Sequence, residues 1–274
     1  MKTALPSAPM LRASLLSAAL ALACTDAAPP PPLDAGPPTD VHTVNIVDAP
    51  SSLDAGPAVL RVLVIGNSYV FYNDLPQLLR GLSAAEGPPR LEVEALTEGG
   101  ATLERHWAAM RGERLSAGGV DALVLQGQSV EPLVGYANFH AYARRFTEAA
   151  QAAGARTVYF GTWARREGDA VYAQAWSGGD AAAMSARLDE AYLRSAMTTG
   201  AGVARVGARW QSALTARPGL GLYDPDGSHP SLAGSYLAAC VLYRALVGRP
   251  AQRAEAPAGL DPAVAETLRA VARE

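Results

Sequence analysis

From residue 59 onward, short apolar runs alternate with amphipathic helical segments, and this alternation constrains the fold more than any other feature of the chain. Leu60 to Gly66, Leu91 to Leu96, Ala122 to Leu125, Thr157 to Phe160 and Gly202 to Val206 read as five strands. Continuous apolar runs such as the first and third suit strands covered on both faces. The helices expected between and after them begin with one capped by Asn73 or Asp74, with Pro76 in its first turn, running through Leu82. Others are expected over Leu103 to Leu115, Phe139 to Ala153, Ala181 to Thr198, Arg209 to Ala216 and Leu232 to Val247. A last one, capped by Asp261, covers Pro262 to Arg273. Strands and helices in this order predict an α/β fold, with a mainly parallel sheet of five strands and helices on both faces. The loops that leave the strand C-termini then share one rim, where open α/β sheets place their ligands.

The chain before residue 59 has a different character. Lys2 and Arg12 precede an apolar run from Leu15 to Ala23, which is too short to span a bilayer comfortably and reads as an export signal. Leu20-Ala21-Leu22-Ala23-Cys24 resembles a bacterial lipoprotein signal, although Ala21 stands where leucine is usual. That resemblance implies lipidation of Cys24 and anchoring in the cell envelope, with plain secretion as the alternative. Residues 25–58 are rich in Pro, Ala and Asp, a composition that cannot bury enough surface to fold and reads as a disordered linker. The expected organisation is therefore a signal at 1–24, a linker at 25–58, a catalytic body at 59–250, and a C-terminal tail with a short helix at 251–274.

The chain has 274 residues, a formal net charge of -3 and 49% apolar residues, so it can bury a large core and carries no basic footprint for nucleic acid. Cys240 lies in an apolar helical stretch and reads as a core residue. With Cys24 lipidated or removed, no disulfide is expected. The four histidines are His42, His106, His140 and His229. They form no ligand cluster, so no metal is expected. His42 falls in the linker, His106 and His140 read as helix residues, and Glu131 reads as a solvated loop charge.

Ser68 follows the first strand as Gly66-Asn67-Ser68-Tyr69. A nucleophilic serine needs a base within hydrogen-bond reach, a group that orients the base, and donors aimed at the oxyanion. Asp226-Gly227-Ser228-His229 offers the base and its orienter in one tight loop. The Gly-x-Ser-x-Gly nucleophile elbow is absent, which argues against the α/β-hydrolase arrangement. Trp163, just past the fourth strand, reads equally as pocket wall or core.

These blocks resemble the SGNH/GDSL hydrolase superfamily. Gly66-Asn67-Ser68 resembles its first block, Gly100-Ala101-Thr102 its second, and Asp226-x-x-His229 its last. The resemblance covers about residues 60 to 250. It implies a flavodoxin-like three-layer α/β/α sandwich and ester hydrolysis without metal or organic cofactor. It implies Ser68 as nucleophile, His229 as base, Asp226 as its orienter, and backbone N–H groups of Ser68 and Gly100 in the oxyanion hole. Two positions depart from the pattern. Asn67 replaces the usual aspartate, and Gln126-Gly127-Gln128-Ser129 replaces a block ending Gly-x-Asn-Asp. That block is more similar to the Gln-Gly-Glu-Ser of carbohydrate acetylesterase branches. A glutamine amide can donate as asparagine does, and Gln126, at the strand end, is preferred to Gln128 as third donor.

The expected substrate is a small acyl ester, first of all an acetylated carbohydrate. A lipase, lysophospholipase or thioesterase is the alternative, and a non-catalytic carbohydrate-binding module of the same fold is the non-enzyme reading. Contact with a membrane is expected only through the N-terminal lipid.

Overall fold

The structure is a computed structural model, and it describes residues 57–274. The expected signal, Cys24 and nearly all of the linker lie outside the described residues. Five strands form one all-parallel sheet in the order β2-β1-β3-β4-β5. They are β1 (Val59–Gly66), β2 (Arg90–Thr97), β3 (Ala122–Leu125), β4 (Arg156–Phe160) and β5 (Gly202–Ala204). Seven longer helices accompany them: α1 (Leu75–Glu86), α2 (Leu103–Ala108), α3 (Tyr136–Ala152), α4 (Ala181–Thr199), α5 (Val206–Ala216), α6 (Leu232–Val247) and α7 (Pro262–Arg273). This is the α/β sandwich expected from the alternation.

The side-chain period of a strand explains the two cores. Val62 and Val64 of β1 point to one face, where α1, α5, α6 and α7 contribute Leu79, Trp210, Leu237 and Leu268. Leu63 and Ile65 point to the other, against Phe139 and Phe146 of α3 and Tyr192 of α4. Both faces of β1 are therefore dry, and this is why its sequence is continuously apolar. The chain passes from β1 to β2 on one side and then returns to β3 on the other. The strand order reverses there, so a crevice opens beyond Gly66, next to Ser68.

Three expectations need correction. The helix expected over Leu103 to Leu115 stops at Ala108, and a single turn, Glu113–Ser116, follows. Met110 adopts φ 57°, which a continuous helix cannot contain. The fifth strand ends at Ala204, since α5 begins at Val206 rather than at Arg209. Residue 250 is no edge of the core, because Ala265, Leu268, Val271 and Ala272 of α7 belong to the same buried cluster as α6.

Candidate active site

Ser68 opens a one-turn helix, Ser68–Phe71, immediately beyond β1. Asn67 caps it, its Oδ1 accepting from Tyr69 N at 3.2 Å. The Asn67 amide also donates to Ala101 O, joining the first block to the second. Gly66 is required by close approach, since a Cβ there would lie 2.6 Å from Gln126 Oε1 and from Val70 Cγ2.

His229 Nε2 lies 2.9 Å from Ser68 Oγ. Its Nδ1 lies 2.5 Å from Asp226 Oδ2. The other carboxylate oxygen, Oδ1, accepts from Ser228 N and His229 N, both at 2.9 Å, so the loop is wound around its own acid. Partial burial pushes the Asp226 carboxyl up, but the hydrogen bonds from His229 and from the two backbone amides prevail and hold its pKa at about 2. The imidazole is clasped from both sides. Tyr72 stacks on it at 4.2 Å between ring centroids, and Tyr69 meets it edge-on at 5.7 Å. The buried Trp163 donates from Nε1 to Ser228 O at 3.0 Å and stacks between Tyr69 and Trp210. It belongs to the core that carries the His229 loop, which decides between the two readings of that residue. Asn73, at φ 51°, donates to Pro230 O and ties the far end of the loop to the turn after Ser68.

The Ser68 and Gly100 N–H groups donate to no other group among the described residues. Gly100 has φ 67°, a conformation that favours glycine, and it sits in the turn between β2 and α2. These two amides remain available to a developing oxyanion.

The side-chain contacts favour Gln128 over the preferred Gln126. The Gln126 side chain is fully buried under Gly66, with Oε1 accepting from Asn67 N at 2.9 Å and Nε2 donating to Gly127 O at 2.5 Å. Its Oε1 holds the nucleophile turn, and its Nε2 turns to Gly127 O. Gln128 is half-buried, and its Oε1 accepts from Val130 N, while its Nε2 makes no hydrogen bond among the described residues. Glu131 is likewise no solvated charge. It is 5% exposed, and its Oε2 accepts from Gln128 N and Leu103 N, linking the second and third blocks. Burial pushes its carboxyl up. His106 is also fully buried beneath the site, and burial holds its pKa down. His140 lies on α3, with Nδ1 against Ser195 Oγ at 3.0 Å, away from these groups.

A serine hydroxyl, an imidazole and a carboxylate in line form the constellation that makes a serine nucleophilic. The comparisons agree with this class of protein. Neither a family model nor a curated protein matches the chain. Among solved structures, a protein from Slackia heliotrinireducens assigned as an SGNH hydrolase is 33% identical, over 68% of this chain and 98% of its own, with a TM-score of 0.60. The chain belongs to the SGNH hydrolases. The same fold occurs in a lipase/acylhydrolase from Enterococcus faecalis, 16% identical over 72% of this chain and all of its own, TM-score 0.55. It occurs also in the acetyl xylan esterase AlAXEase, 12% identical over 68% and 100%, TM-score 0.55.

Proposed function

We propose that the protein is a serine esterase that hydrolyses small acyl esters, with acetylated carbohydrate as the substrate class. The observation that carries this reading is the 2.9 Å contact between Ser68 Oγ and His229 Nε2, with Asp226 on the opposite ring nitrogen. Asp226 accepts a hydrogen bond from Nδ1–H, so Nε2 presents its lone pair to the serine hydroxyl. His229 takes the Ser68 proton as Oγ attacks the carbonyl carbon. The carbonyl oxygen becomes an oxyanion, received by the Ser68 and Gly100 N–H groups and by Gln128 Nε2. His229 then returns the proton to the leaving alkoxide, and an acyl-Ser68 ester remains. Water, deprotonated by the same imidazole, releases the acid and restores Ser68.

Two observations favour short acyl groups on a carbohydrate. The block Gln126-Gly127-Gln128-Ser129 resembles that of carbohydrate acetylesterases, and one structural neighbour is an acetyl xylan esterase. A lipase or thioesterase is the competing reading, and the E. faecalis neighbour bears such a name.

A fluorophosphonate probe tests the nucleophile. The wild type is expected to label at one site, and Ser68→Ala to abolish labelling and lower kcat by a thousandfold or more, on the order expected when a nucleophile is removed. Equal labelling of the two proteins would overturn the assignment. Nitrophenyl esters of rising chain length test the substrate class, with acetate expected to give the highest kcat/KM. A maximum at long chains would favour the lipase reading.

A further inference from the structure

Arg165 lies in the loop after β4, two residues beyond Trp163. Among the described residues, no carboxylate stands within ion-pair distance of its guanidinium. Its donors go to two hydroxyl groups instead. Nη2 donates to Ser129 Oγ at 2.9 Å, and Nη1 donates to Tyr69 OH. The Tyr69 oxygen also lies 3.0 Å from Ser228 Oγ. A guanidinium can only donate, so both hydroxyl oxygens it touches act as acceptors there. The phenol oxygen accepts from Arg165 and shares a second hydrogen bond with Ser228 Oγ, in which either hydroxyl can donate. Tyr69 is 2% exposed, and burial pushes its phenol up, which keeps it protonated. One cation thereby connects four loops: the turn after β1, the Ser129 loop after β3, its own loop after β4, and the loop that carries His229.

We propose that Arg165 is a positioning residue of the hydrolytic site. Through Tyr69 and Ser228 it seats the His229 loop against the Ser68 turn, and through Ser129 it holds the Gln128 loop beside them. This assignment rests on the esterase reading of the same site. Tyr72 and Tyr69 fix the plane of the imidazole by stacking and edge-on packing. Arg165 fixes its advance toward Ser68, a degree of freedom that stacking leaves open.

The test is a double-mutant cycle on the full chain, read by fluorophosphonate labelling rate and by kcat and KM on nitrophenyl acetate. Arg165→Met is expected to lower kcat and the labelling rate by roughly tenfold to a hundredfold, the range for losing hydrogen bonds to a charged donor. KM is expected to move by less than about threefold, since the loss falls on the reacting geometry and not on binding. Tyr69→Phe keeps the ring stacked on Trp163 and removes only the relay oxygen, so it is expected to lose about as much. The double variant is expected to be no worse than the poorer single one, because both changes cut one chain. Arg165→Lys is expected to recover part of the rate. If Arg165→Met fails to fold, Tyr69→Phe carries the same prediction. A wild type that labels, beside folded variants with unchanged kcat or with fully additive losses, overturns this assignment alone. A wild type that neither labels nor turns over overturns the esterase reading and this assignment with it.

Discussion

Asn67 stands where the SGNH pattern usually has aspartate, and its contacts give a physical account of the change. Its Oδ1 caps the Ser68 turn as a carboxylate would, while its Nδ2 donates to Ala101 O, which a carboxylate could not do. The two glutamines of the third block divide their work in the same way. Gln126 is structural, holding Asn67 N and Gly127 O in a fully buried position. Gln126→Leu would leave both of those groups unpaired, at about 1–3 kcal/mol each. It is expected to lower the melting temperature by several degrees and to disorder the nucleophile turn. Gln128→Leu removes only a half-buried side chain and its contact to Val130 N. It is expected to leave the melting temperature close to wild type and to lower kcat tenfold or more, as loss of an oxyanion donor does. Thermal unfolding and kcat on nitrophenyl acetate, measured on both variants, separate the roles. A Gln128→Leu enzyme with wild-type kcat would remove that residue from the oxyanion hole.

The element that decides the chemistry is the loop from Tyr223 to Pro230, closed at its ends by an antiparallel bridge between those two residues. Its acid is held at about 2, below the ordinary 3.8, so the carboxylate form is favoured by the fold. The stability this contributes is fully present above the ordinary value and is lost only as pH falls through about 2. Asp226 therefore stays ionised at any pH above about 2, and His229 must be neutral to accept the Ser68 proton. The profile of kcat/KM on nitrophenyl acetate is expected to fall on the acid side with the slope of a single proton. Asp226→Asn is expected to lower the plateau on the order of a thousandfold or more by releasing the imidazole tautomer. A profile with no acid limb would overturn the role of His229. Much of this was legible in the chain. Ala122–Leu125, Leu232–Val247 and Pro262–Arg273 form the elements that their apolar patterns predict, and Ser68, Asp226 and His229 meet as their blocks suggest. What was not legible depends on which loop packs against which. A glutamine at a strand end looks the same whether its amide faces a ligand or a buried backbone, and Glu131 and Arg165 are single charges that reach partners as far as 28 and 96 residues away.

At the scale of the whole molecule, the remaining question is where the body is held. No helix among the described residues is long and apolar enough to cross a membrane. We propose that attachment falls to Cys24, which lies outside the described residues. The apolar run from Leu15 to Ala23 is far shorter than the ~20 residues of a spanning helix, so as an uncleaved segment it would be a poor anchor. Acyl chains are better suited. One chain holds a protein to a bilayer only reversibly, whereas two hold it stably, at about 0.8 kcal/mol for each buried methylene. The full chain, expressed in a bacterial host, is expected to incorporate labelled palmitate and to enter the detergent phase on Triton X-114 partition. Cys24→Ser is expected to lose the label and enter the aqueous phase with its esterase activity intact, because Ser68, Asp226 and His229 are all supplied by the folded body. Retention of wild-type protein on salt-washed membranes would further require two chains, since electrostatic contact alone is screened at high ionic strength. Aqueous partition of the wild type would replace the lipid anchor with plain secretion while leaving the hydrolytic site untouched, so the anchor and the chemistry stand on separate tests.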